Sequence, residues 1–464
     1  MNTLTIFKDY IWKLLLLILV GATIGLIVAR ENVLFLGVLV GLAFFILLVR
    51  RPELSLAILF NGILIYFYLI YKLDIESSRL LTGGFYAFLS LSYLLGGVLL
   101  NARRPYKFRL SSVDVLFIFF FLWAFLSYFI FYTEDNLAYK KITYAPLLVI
   151  VPYFGIQLLS SEERIKKFFK YCVLVAAILI IPSLYELIFN PILTEATGFS
   201  IYLIKDKEAN HILFGITFAI LLLIIFIKIY ERKENKFKYL ILIIPSAYLL
   251  LRSGSRGALI SLVITVVFYL LFITTMRLKR WVYLLVFLAL LIFGVYKLIP
   301  ESTVVSYQYI FTPEARVEEG SSLYQRITVW KQAINEFKEN PILGVGFGNS
   351  VGGGGFPHNI LLETSAELGI LGLFMLLSMC YLTIKKAMTF IKKEEDKNFN
   401  LLMKLSLLLF IYSLTEAMVS GYITNQIQLF MSMGLIASLM KLKQNKDSLQ
   451  GDKSRFKHER ATAL

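Results

Sequence analysis

Apolar runs of 16 to 22 residues follow one another along most of this chain, and no other feature restricts its fold so tightly. A run of that length, wound as an α-helix, crosses the roughly 30 Å hydrocarbon core of a bilayer. Backbone N–H and C=O groups find no water there, so only helices and closed barrels survive. The runs are continuously apolar rather than alternating, which selects helices. With 58% hydrophobic residues, 17% charged residues and a mean hydropathy of +0.73, the 464 residues hold more apolar side chains than a soluble core encloses. The expected fold class is all-α, a polytopic transmembrane helix bundle forming one integral membrane domain.

Hydropathy gives about fourteen spans, at roughly 11–29, 33–49, 54–71, 80–100, 113–132, 144–159, 170–189, 211–230, 239–251, 257–275, 281–299, 358–381, 401–419 and 426–440. The first lacks a small-residue cleavage site and runs directly into the second, so it reads as a retained helix rather than a signal peptide. Basic clusters follow alternate spans, among them Arg50-Arg51, Arg103 to Arg109, Arg164 to Lys170, Arg232 to Lys238 and Lys385 to Lys393. All fall on one side if both termini are cytoplasmic; a multi-pass protein of the cytoplasmic (inner) membrane is the expectation. This distribution also accounts for the formal net charge of +16. The cations set topology and meet anionic membrane lipids, so no nucleic-acid partner is expected. Cys172 and Cys380 lie inside apolar segments and make neither a disulfide framework nor a metal cluster. Residues 444–464 are polar without apolar period, and a disordered cytoplasmic tail is expected there.

One loop is long, 300–357, between spans eleven and twelve and on the exterior side. Its length argues for function. Leu323, Ile327, Trp330, Ile334 and Phe337 keep helical spacing, which predicts an amphipathic helix over 322–339, ended by Asn340-Pro341. Arg326 flanks that stripe, four residues before Trp330. The loop returns through Gly352 to Gly355 and delivers Pro357-His358-Asn359 to the start of a long apolar helix. The positive end of a helix disfavours an imidazolium and favours a nearby anion. A neutral His358 there suits a general base working near pH 7, with activity falling as the ring gains a proton. The plain alternative is a polar residue capping a helix at the membrane edge.

Arg252 and Arg256 stand between spans nine and ten, on the exterior side and against the positive-inside trend. If the turn is helical they are four apart and share a face. Their planar donor forks match phosphate oxygens; snorkelling to headgroups, or pairing with an intramembrane carboxylate, is the other reading. Four carboxylates are predicted within spans, Glu186, Glu363, Glu367 and Glu416. Glu363 and Glu367 share a helix face, and their leading role is structural, holding arginines or polar backbone near the site. Proton-coupled transport is the second reading.

His358-Asn359, nine residues, then Gly369-Ile370-Leu371-Gly372 resembles the signature of the O-antigen ligase and polymerase family, membrane glycosyltransferases that use glycan carried on undecaprenyl diphosphate. Ser255-Arg256-Gly257-Ala258 resembles that family's arginine motif. Arg326 with Trp330 and Asn340-Pro341-Ile342-Leu343-Gly344-Val345-Gly346 resembles its large exterior loop. Asn210 is similar to an asparagine of the family, although Ala209 stands where the family carries proline. The resemblance spans mainly residues 250 to 372. It implies that Arg256 and Arg326, assisted by Arg252, hold the donor diphosphate and that Asn359 and Asn210 contact substrate. It further implies that His358 takes the proton of an acceptor sugar hydroxyl, with inversion and without metal or other cofactor. The acceptor is a second lipid-linked repeat in a polymerase, or the lipid A core in a ligase. The span count, higher than in the ligases, leans to polymerase. Two other classes stay open: a lipid-linked glycan flippase or anion transporter, and a metal-dependent glycosyltransferase using Glu134-Asp135.

Overall fold

The structure, a computed structural model, describes residues 33–61, 64–66, 68, 79–102, 110–132, 136–189, 211–232, 237–274, 322–350 and 356–462. Among them the chain is all-helical, with fourteen α-helices and no strand. Seven helices are long and apolar enough to cross a membrane: Leu81–Ala102, Ser112–Ile130, Glu162–Tyr185, Ile212–Glu231, Arg256–Ile273, Ile360–Lys393 and Lys397–Ala417. Two shorter apolar helices are Val40–Arg50 and Ile241–Arg252. This is a polytopic helical membrane protein. The expected spans at 11–29 and 281–299 lie outside the described residues, as do Asn210, Glu134, Asp135 and residues 300–321 and 351–355 of the long loop.

The helix Ile360–Lys393 organises the site. It packs against Ser112–Ile130, Lys397–Ala417 and the loop helix Ser322–Glu339. It is interrupted at Gly369, whose φ of 65° and ψ of −164° are open only to glycine. A break inside a span frees backbone groups that hydrocarbon cannot satisfy. Here four of the backbone groups at the break find partners elsewhere in the protein. The Ala366 carbonyl accepts from Val345 N at 2.9 Å and the Glu367 carbonyl from Gly346 N at 3.0 Å. The Leu368 carbonyl accepts from the Trp123 indole at 3.1 Å. Ile370 N donates to the Pro341 carbonyl at 2.8 Å. The segment after the loop helix therefore plugs the gap.

The break also separates two environments. Glu363 to Gly369 are all buried in protein, whereas Ile370, Leu371, Phe374, Leu377 and Tyr381 beyond it are exposed along one stripe. That stripe is apolar, keeps helical spacing and suits contact with lipid.

At the far end of the same helix a second polar cluster ties the bundle. Asp114 Oδ1 accepts from the Tyr153 hydroxyl at 2.7 Å and from Gln157 Nε2 at 3.0 Å. Its Oδ2 meets Lys441 Nζ at 2.8 Å. The last helix, Ile427–Thr462, runs on through the stretch where a disordered tail was expected. Its residues 443–447 are tied by charge pairs. Lys443 pairs with Glu394 at 3.0 Å and with Asp447, one turn on, at 3.4 Å, and Lys446 pairs with Asp396 at 3.1 Å.

Candidate active site

Three chain segments meet at the start of the broken helix. The first is the turn between the helices Phe237–Arg252 and Arg256–Phe268. It is not helical. Gly254 sits at φ 64° and Ser255 is extended, so Arg252 ends one helix and Arg256 opens the next. The shared helical face considered for the two arginines does not form. Ser253 Oγ accepts from Ser255 N at 3.2 Å and fixes the turn. Both arginines are half-buried. A methyl at Gly257 would lie 2.9 Å from Val419 Cγ2, so the backbone just after Arg256 abuts the 418–426 connection.

The second segment is the loop helix, Ser322–Glu339. Arg326 and Trp330, one turn apart, reach different targets. Arg326 donates through Nη1 to the Val419 carbonyl at 3.0 Å, and Trp330 Nε1 donates to the Pro357 carbonyl at 2.6 Å. The helix thus clamps both the 418–426 connection and the residue before His358. Burial lowers the pKa of Arg326, while Glu416 acts in the opposite sense.

The third segment is the entry to the broken helix. Asn359 is its N-cap; its Oδ1 accepts from Leu361 N at 3.0 Å and Leu362 N at 3.1 Å. These bonds satisfy two of the donors a helix start leaves unpaired. His358 precedes it at φ 53°, the one non-glycine residue with positive φ among those described. Its ring packs on Phe356 with centroids 4.2 Å apart, and Phe356 meets Tyr422 edge-on at 5.0 Å. His358 Nδ1 is buried and has no hydrogen-bond partner among the described residues. Burial, and then the charge of Arg326, pull the imidazole down to about 4, so the ring is neutral at pH 7.

Beneath this entry lies an ionic cluster. Glu363 and Glu367, expected to hold arginines or backbone, hold a lysine and backbone. Lys141, from the helix Asn136–Ala145, is fully buried between them. Its Nζ lies 2.5 Å from Glu363 Oε1 and also bonds Glu367 Oε1. Ile423 N donates to both Glu363 oxygens, at 3.2 and 3.0 Å, and Gly348 N to Glu367 Oε2 at 2.9 Å. Nothing local in the sequence singles out Lys141. Placed between two spans, it resembled any lysine at a membrane border. Two carboxylates on one buried helix face were the signal that a cation had to be found for them.

His358, Arg326 and the segment following Arg256 therefore converge around Val419 and the 418–426 connection, in a site built from separated parts of the chain. Residues 239–377 match the model of a family described as O-antigen ligase. This chain carries an O-antigen ligase family domain. The match covers less than a third of the chain, but it encloses the arginine turn, the loop helix, His358 and the Gly369 break. No curated protein matches the chain. The O-antigen ligase domain supports glycosyl transfer of that general type, acting on lipid-linked glycan and an acceptor, in a membrane protein.

Proposed function

We propose that this protein transfers a glycan from undecaprenyl diphosphate to an acceptor sugar hydroxyl, with inversion and without a metal, as a surface-polysaccharide polymerase on the exterior face of the cytoplasmic membrane. The observation that carries the reading is His358. A buried, unpartnered nitrogen costs about 1–3 kcal/mol, and a non-glycine residue at positive φ costs a similar amount. Such outliers concentrate where a ligand will use them. In this reading an imidazole nitrogen of His358 takes the proton of the acceptor hydroxyl as that oxygen bonds the anomeric carbon. The bond from that carbon to the diphosphate breaks, and its electron pair leaves on the diphosphate. Arg326 and Arg256, with Arg252 assisting, hold the developing charge. Among the described residues Arg326 hydrogen-bonds Val419 through Nη1, and a guanidinium carries five N–H donors, so in this reading the others serve phosphate oxygens. Asn359 serves by fixing the backbone that presents His358. Asn210 is retained as a substrate contact on the family resemblance alone.

The description of the matched family favours a second reading, a ligase whose acceptor is the lipid A core. Purified protein incubated with undecaprenyl-diphosphate glycan and a strong chelator, with and without core, separates the two. A ladder without core indicates polymerase. Single transfers that require core indicate ligase. Donor that crosses vesicles unreacted in both arms would leave the flippase reading.

Replacing Arg256 with lysine is expected to slow transfer on the order of 100-fold, because a point charge cannot reproduce a bidentate fork. Near-normal turnover of Arg256→Lys would mean that the arginine only anchors at the headgroups.

The pH dependence follows from His358. A titration near neutrality was expected from the sequence; burial and Arg326 move it down to about 4. The acid limb of kcat/KM, which reports the free enzyme, should stay flat to about pH 5 and fall towards pH 4. Bound diphosphate adds negative charge beside Arg326 and stabilises the imidazolium, so the limb of kcat should lie at higher pH. Coincident limbs near pH 6.5 would rule out this environment for the base.

A further inference from the structure

The ammonium of Lys141 is the point at which three segments are joined. Through Glu363 it holds the first turn of the broken helix and, by way of Ile423 N, the 418–426 connection. Through Glu367 it holds the second turn and Gly348 of the plugging loop. The aromatic rings of Phe347 and Tyr422 flank it, each with its centroid 5.8 Å from Nζ.

Each joined segment carries part of the candidate site. The helix start carries His358 and its cap. The connection carries Val419, whose carbonyl receives Arg326, and Tyr422, which backs Phe356 and so His358. The loop carries the donors that seal the break at Gly369. Without the ammonium, two carboxylates one helical turn apart face each other in a dry interior. That arrangement relaxes by moving apart or by taking up protons, and either response shifts the backbone amides they hold.

We propose that Lys141 is a positioning residue for transfer: by joining Glu363 to Glu367 it sets the placement of His358 against Arg326. This rests on the reading of His358 as base and Arg326 as holder of the diphosphate. Lys141 touches no reacting atom, and it acts through the two glutamates.

The test uses the full-length protein in detergent with undecaprenyl-diphosphate glycan as donor. Wild type, His358→Ala, Lys141→Met, Lys141→Arg and Glu363→Gln are each assayed at the same interval below their own melting temperatures, so lost stability alone does not register. Monodisperse Lys141→Met is expected to lose at least 10-fold in kcat and to show a raised KM for donor. Lys141→Arg, which keeps the charge, is expected to recover part of both. If Lys141→Met does not fold, Glu363→Gln carries the test, with the same fall in kcat expected because it weakens the join from the other side. Wild-type kcat and KM in whichever of these two variants is folded overturns the proposal. So does a Lys141→Arg variant no better than a folded Lys141→Met. Wild-type protein without transfer, or His358→Ala as fast as wild type, overturns the functional reading instead. Inactive His358→Ala beside fully active Lys141→Met removes only the role of Lys141.

Discussion

Replacing His358 with alanine is expected to slow turnover of lipid-linked donor by about 100- to 10,000-fold while the protein stays folded. The loss is that of a general base, and the arginines left behind still bind the diphosphate, so donor affinity should change far less than kcat. His358→Gly sharpens the expectation. Glycine adopts φ 53° without strain, which relieves roughly 1 kcal/mol or more at this position. It also removes a buried Nδ1 that has no hydrogen-bond partner among the described residues. A His358→Gly protein that melts at or above the wild-type temperature and yet turns over donor no faster than His358→Ala would fit a residue kept for chemistry against stability. Transfer at the wild-type rate by either variant ends the base assignment.

Gly369→Ala has the other large effect, and it acts on the fold. A methyl at Gly369 would collide with the Ile342 carbonyl and lie 2.7 Å from Leu343 N, both backbone atoms that cannot swing aside. The backbone conformation there adds strain of about 1–3 kcal/mol for any side chain, and overpacking adds a similar amount. The plugging segment has to move, and three hydrogen bonds between it and the break go with it. We expect a destabilisation of about 2–6 kcal/mol, read as a lower melting temperature in detergent, together with loss of transfer. Gly41→Ala is the control, since nothing lies within 4 Å of the added methyl and the helix should be unharmed. Equal melting temperatures for Gly369→Ala and wild type would mean that the break is not fixed by this packing.

Local signals carried much of this architecture. The apolar runs gave helices such as Ser112–Ile130 and Ile360–Lys393, because hydropathy is summed along a segment and needs no knowledge of neighbours. The spacing of Ile327, Trp330 and Phe337 marked the loop helix for the same reason. His358 was legible as the residue opening a long helix. What stayed hidden depended on contacts between distant parts. Lys141 belongs with Glu363 and Glu367, more than two hundred residues away. The Arg252 and Arg256 pairing depended on one torsion at Gly254, which the sequence allows but does not dictate. Gly369 was part of a recognised motif, yet nothing local said that it interrupts a helix or that Val345 and Gly346 fill the gap. The polar stretch from Lys443 lacked any apolar period, and its partners Glu394 and Asp396 lie in the connection between two other helices.

The plug at Gly369 bears on how the protein is made. Val345 and Gly346 precede Ile360–Leu368 in the chain, so a ribosome releases the donors before the carbonyls that need them. The first half of this helix can therefore close its break against residues that have already been synthesised, with no need to wait for a later segment of the chain.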